Sequence, residues 1–99
     1  MNNRVLVVED DKNLGKVLTD YLSSKNFLVE LAEDGERGLE LFINNSYDIV
    51  ILDIMMPKKD GFSLAKDIRK INKDIPLIFL TAKSQRDSIV KAFNIGADD

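Results

Sequence analysis

Ninety-nine residues, 44% hydrophobic and 31% charged, suit one small domain with a single core and leave no room for a second. The chain has no cysteine and no histidine, which excludes disulfides, zinc sites built on thiolate or imidazole, and any nucleophile–histidine triad. Fourteen basic residues against seventeen acidic ones leave a charge of −3, so this segment is not expected to bind nucleic acid directly.

The longest apolar runs, Val5 to Val8 and Ile49 to Leu52, fall far short of the ~20 residues that span a bilayer. Met1 to Arg4 lead into the first run without the apolar core of a signal peptide. The expected location is cytoplasmic, with no membrane contact.

Val5-Leu6-Val7-Val8 reads as a strand buried on both faces. Asp11 can cap a helix on which Leu14, Val17, Leu18, Tyr21 and Leu22 form an apolar face, ending near Lys25-Asn26. Phe27 to Leu31 alternates as a second strand. Asp34-Gly35 opens a helix with Leu39, Phe42 and Ile43 inward, and Ile49 to Leu52 forms a third strand running into Asp53. Pro57 and Asp60-Gly61 mark a loop. Leu64, Ala65, Ile68 and Ile71 then line a helix, and Pro76 introduces the strand Leu77 to Leu80, closed by Thr81. Ile89, Val90, Phe93 and Ala97 suit a last helix that Gly96 can terminate. Alternating β and α segments with short connections predict an α/β fold with a parallel sheet and helices on both faces. Periodicity alone leaves the strand order open.

The chemistry concentrates at strand ends. One strand ends in Glu9-Asp10-Asp11, another in Asp53, another in Thr81. In open α/β sheets ligands bind beyond the carboxyl ends of the strands, where the strand order reverses. If these strands are neighbours, Glu9, Asp10, Asp53 and Thr81 converge. Two carboxylates at ~4 Å repel by about 4 kcal/mol at an effective dielectric near 20. Oxygen-only ligands favour a hard cation, Mg²⁺ before Ca²⁺ or zinc, and Mg²⁺ at carboxylates points to phosphoryl chemistry. Plainer roles stand beside these: the acidic run could cap a helix, and Asp53 could open an Asx turn. Met55-Met56 reads as loop or core packing, and Lys58-Lys59 as a solvated pair.

Taken together, these motifs resemble the receiver domain of bacterial two-component response regulators. The resemblance runs through Val5-Leu6-Val7-Val8-Glu9-Asp10-Asp11, Ile51-Leu52-Asp53-Ile54-Met55-Met56-Pro57 with Asp60-Gly61, Phe79-Leu80-Thr81-Ala82, and Gly96-Ala97-Asp98-Asp99. The wording of Met55 to Phe62 and Gly96 to Asp99 is most similar to the branch that carries a winged-helix DNA-binding domain. The resemblance implies a flavodoxin-like fold with strand order 2-1-3-4. It also implies that residues 1–99 form a receiver whose fifth strand and helix, with a phosphate-contacting lysine, are absent from this chain.

By the same resemblance Asp53 is the phosphoacceptor, and Glu9, Asp10, Asp53 and the Met55 main-chain carbonyl serve Mg²⁺. Thr81 is the switch hydroxyl, Ala82 leaves access for phosphate, and Pro57 and Gly61 shape the loop. The implied partner is a sensor histidine kinase, a homodimer is admitted, and the output is control of transcription. Three readings compete with this one: a non-phosphorylated interaction module, a flavin or nucleotide binder on the same topology, whose phosphate loop would have to stand where Glu9-Asp10-Asp11 stand, and an aspartyl-phosphate hydrolase. The hydrolase would want a second aspartate two residues after the first, where this chain has Met55.

Overall fold

β1 (Arg4–Val8), α1 (Lys12–Ser24), β2 (Leu28–Ala32), α2 (Gly35–Asn44), β3 (Ile49–Asp53), α3 (Gly61–Ile71) and β4 (Leu77–Leu80) follow one another along the chain. They come from a computed structural model that describes residues 3–56 and 58–80. Pro57, Thr81, Ala82 and the expected last helix around Ile89 to Ala97 lie outside the described residues. All strand pairs are parallel and their order is β2-β1-β3-β4. This is the α/β arrangement the resemblance implies.

β1 occupies the middle of the sheet, and Val5 to Val8 are fully buried. Alternation along the strand sends Leu6 and Val8 to one face and Val5 and Val7 to the other. Leu6 and Val8 join Val50, Leu52, Leu77 and Phe79 against Leu41 and Phe42 of α2 and Leu64, Ala65 and Ile68 of α3. Val5, Val7 and Ile51 instead meet Leu18 and Leu22 of α1, with Phe27 and Val29. Among the described residues three helices thus cover the two faces, and the larger core lies under α2 and α3.

Each of these three helices starts on an aspartate. Asp11 accepts from the N–H groups of Asn13 and Leu14, Asp34 from that of Arg37, and Asp60 from that of Ser63. α1 stops where Asn26 takes a left-handed φ of 72°. There Phe27 N–H donates to the Leu22 carbonyl and Asn26 N–H to that of Ser23, which is the Schellman pattern.

Three expectations about inward faces are corrected. Leu14, Val17 and Tyr21 are exposed, Val17 at 62% and Tyr21 at 60%. α1 touches the sheet through Gly15, where a Cβ would come within 3.0 Å of Leu31 Cδ2, and through Leu18 and Leu22. The Leu14–Val17–Tyr21 stripe lies on the flank of that contact. Ile43 is also exposed, because Gly38, Leu41 and Phe42 fill the buried face of α2. Ile71, the last residue of α3, is exposed as well. The second strand is shifted by one residue from Phe27–Leu31 to Leu28–Ala32.

Candidate functional site

Val8 pairs with Leu52 across β1 and β3, so the residues that follow, Glu9 and Asp53, emerge side by side at the carboxyl ends of the strands. β1 lies between β2 and β3, and the connections leaving β1 and β3 run to helices on opposite faces of the sheet, α1 and α3, which opens a crevice between the carboxyl ends of the two strands. Glu9, Asp10 and Asp53 each bring a carboxylate oxygen to it, all within 4.8 Å of one another.

The three acidic residues after β1 divide their work. Asp11 is the cap of α1. Asp10 is the exposed member of the cluster. Glu9 is only 2% exposed; its Oε2 accepts from the Asp11 N–H at 3.0 Å, while Oε1 is buried without a hydrogen-bond partner among the described residues. Burial pushes the Glu9 carboxyl up to about 7, against the lowering pull of the Asp11 N–H, and the neighbouring Asp53 and Asp10 add to the rise. A buried, unpartnered carboxylate oxygen beside two further carboxylates is the donor set of a hard cation, and the residues fit Mg²⁺.

Asp53 is half-buried at the end of β3. Its Oδ1 accepts from the Met55 N–H at 3.3 Å, so it does open an Asx turn, and this bond orients the carboxylate. The Met55 side chain points into solvent, whereas Met56 packs against the core. Gly61 closes the loop: its N–H donates to the Ile54 carbonyl at 2.9 Å, and a Cβ on it would stand 2.2 Å from the Asp53 carbonyl oxygen.

The loop lysines are more than a solvated pair. Lys58 Nζ lies 3.5 Å from Asp34 Oδ2, and Lys59 Nζ lies 2.5 Å from Asp67 Oδ2. The Arg37 N–H and then Lys58 hold the Asp34 carboxyl below its ordinary range. Sequence spacing carries no signal of these partners, since Asp34 and Asp67 sit on different helical segments brought together only by the fold.

Residues 5–99 match the family model described as the response regulator receiver domain. The chain belongs to that family. The receiver is 52% identical over 96 residues to the transcriptional regulatory protein RprY of Bacteroides fragilis, an alignment covering 97% of this chain and 41% of RprY. It is 46% identical to the transcriptional regulatory protein DltR of Streptococcus agalactiae, with 97% and 43% covered. The chain thus spans about two fifths of the length of these curated relatives. Its fold matches a receiver domain from a Francisella response regulator with a TM-score of 0.91 at 35% identity, over 99% of this chain and 81% of that one. Among the described residues of the receiver, no helix is long and apolar enough to cross a membrane.

Proposed function

We propose that this receiver takes a phosphoryl group from the phosphohistidine of a sensor kinase onto Asp53 and relays a conformational change to a transcriptional output. The observation that carries the reading is the convergence of Glu9, Asp10 and Asp53, with Glu9 Oε1 buried and, among the described residues, unpartnered. Mg²⁺ is the cofactor, held by those three carboxylates and the Met55 main-chain carbonyl. When bound, it offsets negative charge on the site and on the transferred oxygens.

An Asp53 carboxylate oxygen attacks phosphorus, an O–P bond forms, and the N–P bond to the donor imidazole breaks. The leaving imidazole keeps the bond's electron pair. The Met55 N–H on Oδ1 holds the carboxylate plane steady for that approach. Thr81 is assigned the switch, its hydroxyl bonding the new phosphoryl oxygen, because a charge-assisted bond outweighs a neutral one. Ala82 leaves the phosphate a path. The domain is substrate and part-catalyst at once and is not a turnover enzyme. The relatives' description as transcriptional regulatory proteins supports an output on DNA delivered outside residues 1–99.

Acetyl phosphate, a small phosphodonor, tests the acceptor in the full-length protein. Labelling is expected to depend on Mg²⁺ and to vanish in Asp53→Asn. Labelling that survives the substitution moves the acceptor elsewhere.

A further inference from the structure

The described residues of the loop between Asp53 and Gly61 are clamped from two sides. On the inner side Gly61 sits against the Asp53 carbonyl, so the loop has no room to sink toward β3. On the outer side it meets the first residue of α2: a Cβ on Gly35 would stand 2.0 Å from the Lys59 carbonyl oxygen and 2.8 Å from its carbon. Lys58, beside that contact, adopts a left-handed φ of 65°. A lysine keeps such a backbone only where its surroundings hold it there. Lys58 pairs with Asp34, the cap of α2, and Lys59 with Asp67 of α3.

We infer that Gly35 and Lys58 are positioning residues that set where the loop carrying Met55 stands relative to Glu9, Asp10 and Asp53, and so set the affinity for Mg²⁺. The inference rests on the Mg²⁺ reading above. A Cβ does not approach backbone closer than 3.0 Å, so a side chain at Gly35 forces a retreat of about 1 Å. α2 does not supply it. Gly38 lies on Val8, where even an added Cβ would come within 2.9 Å of Cγ2, and Leu41 and Phe42 are locked in the core. Among the described residues the ion pairs of Lys58 and Lys59 hold the loop on this side, with the Lys58 side chain itself 60% exposed, and the loop is the part that yields. Mg²⁺ demands near-ideal octahedral geometry and tolerates no such displacement of a ligand.

The experiment titrates Mg²⁺ calorimetrically into the full-length protein and its variants, with Mn²⁺ paramagnetic resonance as a second reading of the same site. Melting of the metal-free forms is followed in parallel. Gly35→Ala is expected to bind about tenfold more weakly, as substitutions supporting metal ligands do. Gly38→Ala, which crowds Val8 rather than the loop, is expected to lower the melting point and keep the wild-type affinity. Lys58→Gly releases the strained φ and the ion pair together; its melting point is expected to hold while its Mg²⁺ affinity falls. This variant decides the matter if Gly35→Ala fails to fold. Wild-type affinity in both Gly35→Ala and Lys58→Gly overturns the positioning role, as does an affinity loss in Gly38→Ala that tracks stability. A wild type that binds no Mg²⁺ removes the metal reading itself, and the positioning role with it.

Discussion

The carboxylates of Glu9 and Asp53 stand side by side at the ends of two paired strands, Glu9 buried and Asp53 half-buried. That arrangement gives the metal-free protein a distinctive response to pH. Glu9 has a folded value of about 7 against an ordinary 4.5, so between those values the folded chain binds more protons than the unfolded one. Its contribution is fully present below pH 4.5 and is lost as pH rises to about 7. Urea midpoints in a chelating buffer are expected to fall across this window. Glu9→Gln is expected to flatten the slope and to exceed the wild type in stability at pH 8. Parallel curves for the two proteins would remove Glu9 as the source.

Mg²⁺ is expected to reverse this penalty. A ligand that binds only the folded state contributes about 2.7 kcal/mol at 100 times its dissociation constant. Because Glu9 must give up its proton to act as a ligand, the gain shrinks as pH falls below about 7. Melting with and without Mg²⁺ measures it, and Asp10→Ala is expected to lose most of the shift. Equal wild-type midpoints at millimolar Mg²⁺ would take the metal out of the mechanism.

Much of this was legible in the sequence, and what escaped did so for physical reasons. The run Val5 to Val8 announces a central strand because burial on both faces admits only apolar side chains. The meeting of Glu9 and Asp53 needed more: period gives strands but not their order, and the order came from the family resemblance. The apolar stripe of α1 was legible but pointed the wrong way. The contact face is centred on Gly15, which carries no hydropathy signal, so Leu14, Val17 and Tyr21 outweighed it in the pattern. The Lys58–Asp34 pair escaped because side chains far apart in sequence reveal themselves only once the fold exists.

Three consecutive acids with separate tasks can be told apart by substitution. Asp11 caps α1 by accepting from two N–H groups, and its own N–H holds Glu9 Oε2. Asp11→Ala removes the side-chain cap and keeps that backbone donor. The expected loss is about 1 kcal/mol of stability, with the Mg²⁺-induced shift in melting point unchanged. Denaturant unfolding with and without Mg²⁺ reads both quantities. A collapse of the metal shift in this variant would show that Asp11 serves the metal site too.

The opposite end of the sheet carries its own titrating group. Tyr47 donates its hydroxyl to Glu30 Oε1 at 2.9 Å, and the same oxygen accepts from Arg4 Nη2 at 2.8 Å. The Arg4 guanidinium lies 5.2 Å from the centre of the Tyr47 ring, which stacks on Phe42 at 6.3 Å. Burial pushes the Tyr47 hydroxyl up to about 12, Glu30 adds to the rise, and Arg4 opposes it. The folded state therefore keeps the phenolic proton when the unfolded state, at an ordinary 10.0, gives it up. Stability from this group is full below pH 10 and declines as pH climbs toward 12. Tyr47→Phe removes one hydrogen bond to a charged acceptor and leaves Arg4 to satisfy Glu30, so about 1 to 2 kcal/mol is expected to go at pH 8. The variant should also lose the alkaline decline that urea midpoints show in the wild type. Phosphodonor labelling of Asp53 should stay at the wild-type level, because the network lies at the amino-terminal ends of the strands. An unchanged alkaline slope in Tyr47→Phe would assign the decline to other groups, and a loss of labelling would reveal coupling between the two ends of the sheet.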